Sequence, residues 1–110
     1  MLPYKNEVLE YLDRSGRSSY AEWFESLNAA AAAKVVVATH RLAQGNFSNT
    51  KSVGRGVMEY KIDFGPGYRV YFGRDGNRVV ILLGGGTKQR QQNDIRGAIS
   101  RWEDYRQRKK

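Results

Sequence analysis

The segment Gly65-Pro66-Gly67-Tyr68-Arg69-Val70-Tyr71-Phe72 decides the fold, because it joins two runs whose residues alternate between apolar and polar. Side chains on a β-strand point alternately to opposite faces, so each run has one apolar and one polar face. Gly-Pro-Gly is typical of a tight turn, and the two runs are therefore predicted to form a β-hairpin. A three-residue turn would place Phe64 opposite Tyr68 and keep the apolar side chains on one face.

The polar face of this predicted hairpin is the first candidate for a functional surface. Five side chains are expected to gather there and to point outward: Glu59, Lys61, Asp63, Arg69 and Tyr71. Arg69 has a planar guanidinium that can grip a phosphate with two N–H groups. Tyr71 offers a hydroxyl on an aromatic ring, which suits base stacking or proton transfer. Alternatively, the charges pair across the strands, with Asp63 opposite Arg69, as ordinary surface ion pairs do.

Net charge points to a polyanionic partner. The chain carries a formal net charge of +8. Residues 1–50 contain five Lys or Arg and five Asp or Glu, whereas residues 51–110 contain 14 and six. The whole excess therefore lies in the half that contains the hairpin, and nucleic acid is the commonest polyanion for such a field. The alternative is a surface that is basic only for solubility.

Composition excludes several classes of site. There is no cysteine, which rules out thiol chemistry, disulfides and cysteine-ligated metals. The single histidine, His40, rules out a multi-histidine metal site and is predicted on a helix away from the polar face. No run approaches the roughly 18 apolar residues that span a membrane, and the first ten residues have no apolar signal-peptide core. We expect a cytoplasmic protein that binds no metal or other cofactor.

The rest of the chain is predicted to form helices and strands around the hairpin. Val8–Leu12 alternates weakly and is predicted to be a strand. Helices beginning at Ser19 and Ala29 are expected to form a helical hairpin, because their apolar residues recur at helical spacing. Val79–Leu83 is apolar on both faces, as in a central strand that is covered on both sides. From about Lys88 a last helix is predicted, and its apolar stripe consists of Ile95, Ala98, Ile99 and Trp102.

This order, β-α-α-β-β-β-α, predicts one α+β domain over residues 1–110. Its twisted antiparallel sheet would have about four strands, with an N-terminal helical hairpin and a C-terminal helix. Residues 47–56 are expected to be irregular and residues 106–110 to form a flexible basic tail. Three glycines, Gly84–Gly86, precede Lys88, and they would allow a ligand to approach the backbone closely. They do not have the spacing of a phosphate-binding P-loop.

Residues 45–98 resemble the RelE/HigB family of bacterial toxins. The matching segments are Gly45-Asn46, Lys51-Ser-Val-Gly54, Gly56-Val-Met-Glu59, Gly65-Pro-Gly-Tyr-Arg-Val-Tyr-Phe72, Ile81-Leu-Leu-Gly-Gly-Gly86, Lys88 and Asp94-Ile95. The resemblance implies the toxin half of a type II toxin–antitoxin pair, with a cognate antitoxin that is often a helix-turn-helix DNA-binding protein. It also implies a concave active face on the sheet and cleavage of mRNA on the ribosome. Where the family often has an acidic residue, before Lys88, this chain has Thr87.

RNA can be cut when its own 2′-hydroxyl attacks the adjacent phosphate. The enzyme must then take one proton, give one proton, and stabilise the extra negative charge on the phosphate. As a metal-independent endoribonuclease, the chain is expected to use five catalytic residues: Glu59, Arg69, Tyr71, Lys88 and Lys51. In this hypothesis Arg69 stabilises the phosphorane beside the two lysines, Glu59 or Tyr71 is the base, and a lysine or Tyr71 is the acid. Three further residues are expected to contact RNA phosphates: Arg55, Lys61 and Arg90.

This hypothesis requires Arg69, Tyr71 and Lys88 to converge in a solvent-open hollow, and it expects Arg69→Ala to relieve growth arrest without disturbing the fold. Two other functions remain open. A ParE-like inhibitor of DNA gyrase would have the same architecture without catalysis, since fold does not fix function. A plain basic nucleic-acid-binding module would need only the charge.

Overall fold

The computed structural model describes residues 5–109 of the chain, so Met1–Tyr4 and Lys110 of the predicted domain and tail lie outside the described residues. The nine elements, in chain order, are β1 (Glu7–Glu10), α1 (Ser19–Glu25), α2 (Ala29–Ala43), β2 (Thr50–Gly54), β3 (Val57–Ile62), β4 (Tyr68–Asp75), β5 (Val79–Thr87), a 3-10 turn (Lys88–Arg90) and α3 (Gln91–Lys109). The predicted α+β class, the helical hairpin and the C-terminal helix are confirmed. None of the helices in the described part of the chain is long and apolar enough to cross a membrane.

The sheet has five strands in the order β1-β5-β4-β3-β2, one more than expected. The additional strand is β2, which pairs with β3 in the segment predicted to be irregular. Its residues are exposed or half-buried without a regular alternation, so the sequence carries no strand signal there. The sheet is also mixed rather than purely antiparallel, because β1 runs parallel to β5.

The predicted hairpin is present, but its register differs by two residues. Ile62, rather than Phe64, lies opposite Tyr68, and residues 63–67 form a longer turn. A shift of two residues preserves which side chains share a face, because the side-chain period of a strand is two. Glu59, Arg69 and Tyr71 therefore still lie on the same face of the sheet, as predicted.

Helices cover both faces of the sheet and create two cores. On one face, α1 and α2 pack on side chains that include Tyr60, Val70 and Phe72. On the other face, α3 packs on Val57, Tyr71, Ile81 and Leu83. As predicted, β5 is a central strand that is apolar on both sides, with Val80 and Leu82 in the first core and Ile81 and Leu83 in the second.

The C-terminal helix lies across the sheet through the apolar stripe predicted for it. Trp102 is buried and rests directly on the backbone of β4, where a Cβ on Gly73 would lie only 2.5 Å from its ring. Residues 106–109, expected to be a flexible tail, form the last turn of α3. Lys109 there makes an ion pair with Asp75 at the end of β4. The helix that covers the polar residues of the hairpin is thus anchored at its far end.

Candidate functional site

Three of the polar residues of the hairpin, Glu59, Arg69 and Tyr71, lie under α3 rather than in solvent, whereas Lys61 and Asp63 are exposed. Glu59 is directly opposite Tyr71, and Lys61 is opposite Arg69. Glu59 is 1% exposed, Arg69 5% and Tyr71 0%. The prediction that these side chains share a face is confirmed, but the prediction that Glu59, Arg69 and Tyr71 point outward into an open hollow is wrong. The alternation of polar and apolar residues distinguishes the two faces but does not reveal that a helix covers the polar one.

Glu59 is the centre of the contacts in this region. Its Oε2 lies 3.6 Å from Arg69 Nε and accepts a hydrogen bond of 2.7 Å from Gln91 Nε2, on the first turn of α3. Its Oε1 lies 3.9 Å from Nζ of Lys51, a lysine whose side chain is 68% exposed. A buried carboxylate therefore lies between a buried guanidinium and an ammonium group that reaches solvent. The pairing of Asp63 with Arg69 that we considered is wrong, since Arg69 pairs with Glu59.

Arg69 and Lys88 meet at the turn that joins β3 to β4. The Gly67 carbonyl accepts a hydrogen bond of 2.9 Å from Arg69 Nη1 and another of 2.9 Å from the Lys88 backbone N–H. Gly67 has φ +81°, and a Cβ there would lie 3.1 Å from Arg69 Nη1. The positive φ favours glycine at this position, and a larger residue would also crowd the Arg69 guanidinium. The Gly-Pro-Gly turn thus brings the backbone of Lys88 beside the Arg69 guanidinium.

Side chains of the protein itself occupy the space over the three glycines before Lys88. A Cβ on Gly85 would lie 2.3 Å from the Trp23 ring, and one on Gly86 would lie 1.8 Å from Asp94 Oδ2. Arg101 occupies the equivalent space over Gly84 and donates a hydrogen bond of 3.0 Å to the Leu83 carbonyl. The expectation that these glycines admit a ligand is therefore wrong in this structure, because side chains of α1 and α3 lie against them.

Four buried polar atoms in this region have no hydrogen-bond partner among the described residues. They are Glu59 Oε1, Arg69 Nε, Tyr71 Oη and Asp94 Oδ2. We call these four residues the polar cluster. A buried polar group without a partner typically costs about 1–3 kcal/mol, so such groups are rare in native proteins. Their concentration between β3, β4 and the start of α3 marks this region as one that is not optimised for stability.

Burial raises the pKa of two members of the cluster. The pKa of Tyr71 is raised well above its ordinary value, chiefly by burial and next by the negative charge of Glu59, with Arg69 opposing. Tyr71 therefore stays protonated at neutral pH, and this shift is opposite to the one a general base would need. Burial also raises the pKa of Asp94, while Arg90 and Arg101 act to lower it.

The other predicted site residues fall into two groups. Lys51, Lys61, Lys88 and Arg90 are exposed, and the structure places them on the elements that surround the polar cluster. Arg55 does not belong with them. It lies in the turn between β2 and β3, at the other end of β3 from Lys61, with a φ of 54°. Its guanidinium makes an ion pair of 3.2 Å with Glu103 on α3.

Gln91 and Asp94 are site residues that the sequence analysis missed. Gln91 contacts Glu59, and Asp94 fills the space over Gly86. A signal was present, because Gln91 precedes Ile95 by four residues and Asp94 precedes Ala98 by four residues. These spacings place both on the helical stripe that faces the sheet. The polar residues at the start of that stripe could therefore have been predicted to meet the polar face of the hairpin.

Comparison with known proteins places the chain in a family. Residues 22–103 match the family described as Phage derived protein Gp49-like. The chain is also 43% identical, over 81 residues, to an uncharacterized protein of Haemophilus influenzae, and the match covers 73% of this chain and 82% of that protein. The family is associated with toxin–antitoxin systems, in which a toxin has a cognate antitoxin. The chain belongs to the Gp49-like family of phage-derived proteins, and membership of this family indicates a toxin role in a toxin–antitoxin pair.

Proposed function

We propose that this toxin cleaves mRNA on the ribosome, by attack of an RNA 2′-hydroxyl on the adjacent phosphate. The observation that carries the proposal is the series of contacts that runs from Lys51 to Glu59 and from Glu59 to Arg69, whose guanidinium shares the Gly67 carbonyl with the Lys88 backbone N–H. The resemblance to RelE/HigB toxins over the same residues supports it. The targets would be mRNA and the ribosome in the cytoplasm, and the cognate antitoxin would be a helix-turn-helix DNA-binding protein.

The reaction needs a base, an acid and positive charge, and the residues divide accordingly. Glu59 takes the proton from the 2′-hydroxyl as that oxygen bonds to phosphorus. Lys88 or Lys51 gives a proton to the departing 5′-oxygen, so that a cyclic phosphate and a 5′-hydroxyl end are formed. Arg69 faces the negative charge that develops on the phosphate oxygens. Tyr71 stays neutral and donates a hydrogen bond, since its raised pKa disfavours a role as base.

Access to these groups requires the first turn of α3 to move. Glu59 and Arg69 are almost fully buried, and the hydrogen bond from Gln91 to Glu59 closes the region. In the proposed mechanism RNA displaces this contact, while Lys51, Lys61, Lys88 and Arg90 hold the phosphates from the exposed rim. The four unpartnered atoms of the polar cluster gain hydrogen-bond partners when RNA is bound.

The proposal is tested by adding the purified protein to translating ribosomes and mapping new mRNA ends. We expect wild-type protein to cut within the codon being decoded and Glu59→Gln to lose cleavage, because glutamine cannot accept the proton. Glu103→Gln is the matched control, since Glu103 is an exposed carboxylate of α3 that pairs with Arg55. Cleavage by a folded Glu59→Gln variant at the wild-type rate would contradict the proposal.

A non-catalytic inhibitor of DNA gyrase is the second candidate. It is favoured by the closed geometry, in which the Arg69 guanidinium already donates to a backbone carbonyl and faces Glu59. The same protein samples distinguish the two candidates in a DNA supercoiling assay. Inhibition of gyrase without new mRNA ends supports this second function, whereas RNA binding with neither effect supports a plain nucleic-acid-binding module.

A further inference from the structure

A second basic site lies at the other end of the sheet from the polar cluster. It is a cavity of about 590 Å³, and we call it the basic cavity. Its lining includes Lys5, Asn6, Phe47, Arg74, Asn77 and Arg78. Arg74 and Arg69 are both on β4, five residues apart, which corresponds to about 17 Å along a strand. Arg74 stacks on Phe47, which packs on Phe72 in the core under α1 and α2, so the cavity is not part of the α3 face.

Three cationic side chains converge on this cavity, and no carboxylate in the described residues pairs with them. No carboxylate lines it, and Lys5, Arg74 and Arg78 make no ion pair within residues 5–109. Other basic side chains of the chain, such as Arg17, Arg55 and Lys109, do have carboxylate partners. Like charges that converge without a counter-ion raise the local concentration of anions. The cavity is therefore suited to an anionic ligand.

Packing holds two of these cations, Arg74 and Lys5, in place before any ligand binds. The Arg74 guanidinium lies over the Phe47 ring, 4.2 Å from its centroid. The stem of Lys5 crosses Gly45, where a Cβ would lie 3.1 Å from Lys5 Cδ. Buried Asn6 donates its side-chain N–H to the Leu42 carbonyl at 2.9 Å and so fixes the floor at the end of α2. Pre-ordered donors lose less entropy on binding than free surface side chains do.

We propose that the basic cavity binds the phosphates of a single RNA strand, at a site separate from the polar cluster. The outer face of the Arg74 guanidinium is a flat surface on which a base can stack, and Arg78, Lys5 and Asn77 are donors for phosphate oxygens. An acidic segment of a protein is the other anionic partner, but it offers no flat ring for the stacked guanidinium. The inference rests on the proposed RNA target and gives the toxin a second contact with it.

The test measures binding of a fluorescent single-stranded RNA of about 20 nucleotides over a range of salt concentrations. All its riboses are 2′-O-methylated, so the 2′-hydroxyl that cleavage requires is absent. We expect the Arg74→Gln/Arg78→Gln variant to bind about tenfold more weakly, with the slope of log affinity against log salt reduced by about two. Arg14→Gln/Arg96→Gln is the control, because it removes the same charge from exposed positions outside the cavity. Circular dichroism checks that both variants are folded, and Arg78→Gln alone provides a milder change.

Affinity and salt slope equal to those of the control would overturn the inference. An oligoglutamate peptide is the second probe, and loss of peptide binding without loss of RNA binding would also overturn it by assigning the cavity to an acidic protein. The proposed function can fail separately. Wild-type protein that binds RNA through the cavity but produces no mRNA ends contradicts cleavage and supports the second site. Protein that cuts mRNA but binds RNA independently of Arg74 and Arg78 contradicts only the second site.

Discussion

The face of the sheet under α1 and α2 and the face under α3 bury side chains of different kinds. The first buries aliphatic and aromatic residues such as Ile62, Val70 and Phe72. The second places the polar cluster beside its apolar core, and all four of the described buried side-chain atoms without partners belong to it. Both faces are formed by the same strands, so the difference does not come from the fold. It indicates that one face is built for stability and the other retains costly groups that stability alone does not explain.

The largest effect is expected from the buried ion pair of the α3 face. Arg69→Ala removes the buried cation beside Glu59 and leaves a carboxylate that is 1% exposed, which should cost about 3–5 kcal/mol of unfolding free energy. The earlier expectation that Arg69→Ala leaves the fold intact therefore does not fit this geometry. Glu59→Gln/Arg69→Met should recover at least half of the loss, because it leaves no unpaired buried charge. Urea-induced unfolding measures both variants.

The matched control for this prediction is the exposed pair of Arg55 and Glu103. Both of its side chains are about half exposed or more, so Arg55→Ala should cost less than about 1 kcal/mol. If Arg69→Ala is no more destabilising than Arg55→Ala, the contrast between the two faces is wrong, because the pair beneath α3 would then behave as a surface pair.

A smaller effect is expected from Asp94. Burial raises the pKa of Asp94 in the folded state, so the folded protein binds the proton more tightly than the unfolded chain does. The contribution of Asp94 to stability therefore falls as the pH rises through the raised pKa. Asparagine has no carboxylate to ionise, so the Asp94→Asn variant does not lose this stability as the pH rises. The variant should be more stable than wild type at pH 7, by about 1 kcal/mol or less because Asp94 is only partly buried.

The stability difference between Asp94→Asn and wild type should disappear as the pH falls below the ordinary range for aspartate. Unfolding curves at several pH values measure it. Asp75 and Asp104, whose pKa values are lowered by Lys109 and Tyr11 respectively, contribute in the opposite direction in both proteins and so cancel in the comparison. A variant less stable than wild type at pH 7 would indicate that attraction to Arg90 and Arg101 outweighs burial.

The sequence was sufficient to predict which residues share a face. Alternation in β3 and β4 placed Glu59, Arg69 and Tyr71 together, and this survived a register error of two residues because the side-chain period is two. The apolar stripe of α3 and the apolar run of β5 were likewise predicted from the spacing of apolar residues along the sequence. Strand β2 was missed because an edge strand with mixed exposure has no alternating pattern.

The burial of the site could not be predicted from alternation. A polar strand face is ordinarily exposed, and only the packing of α3, through Ala98 and Trp102, on Ile81 and Leu83 covers it. The two charges can be buried there because Glu59 and Arg69 lie 3.6 Å apart and neutralise each other. This contact could not be predicted without the register of the two strands. The occupation of Gly85 by Trp23 likewise depends on how α1 packs, since glycine alone admits either a ligand or a side chain.

The most direct test of the central claim, that the polar cluster is retained for function, is Tyr71→Phe. This change removes one buried hydroxyl without a partner and leaves the ring in place, so stability should stay within about 0.5 kcal/mol of wild type or rise. Tyr60→Phe is the control on the other face, where the Tyr60 hydroxyl lies 3.4 Å from Arg41 and 3.5 Å from Asn49.

Stability and growth arrest on expression are measured for the same two variants. The account predicts that Tyr71→Phe folds as well as wild type but arrests growth weakly or not at all, while Tyr60→Phe keeps full growth arrest. Undiminished growth arrest by Tyr71→Phe would contradict the claim, because the hydroxyl would then serve neither stability nor function.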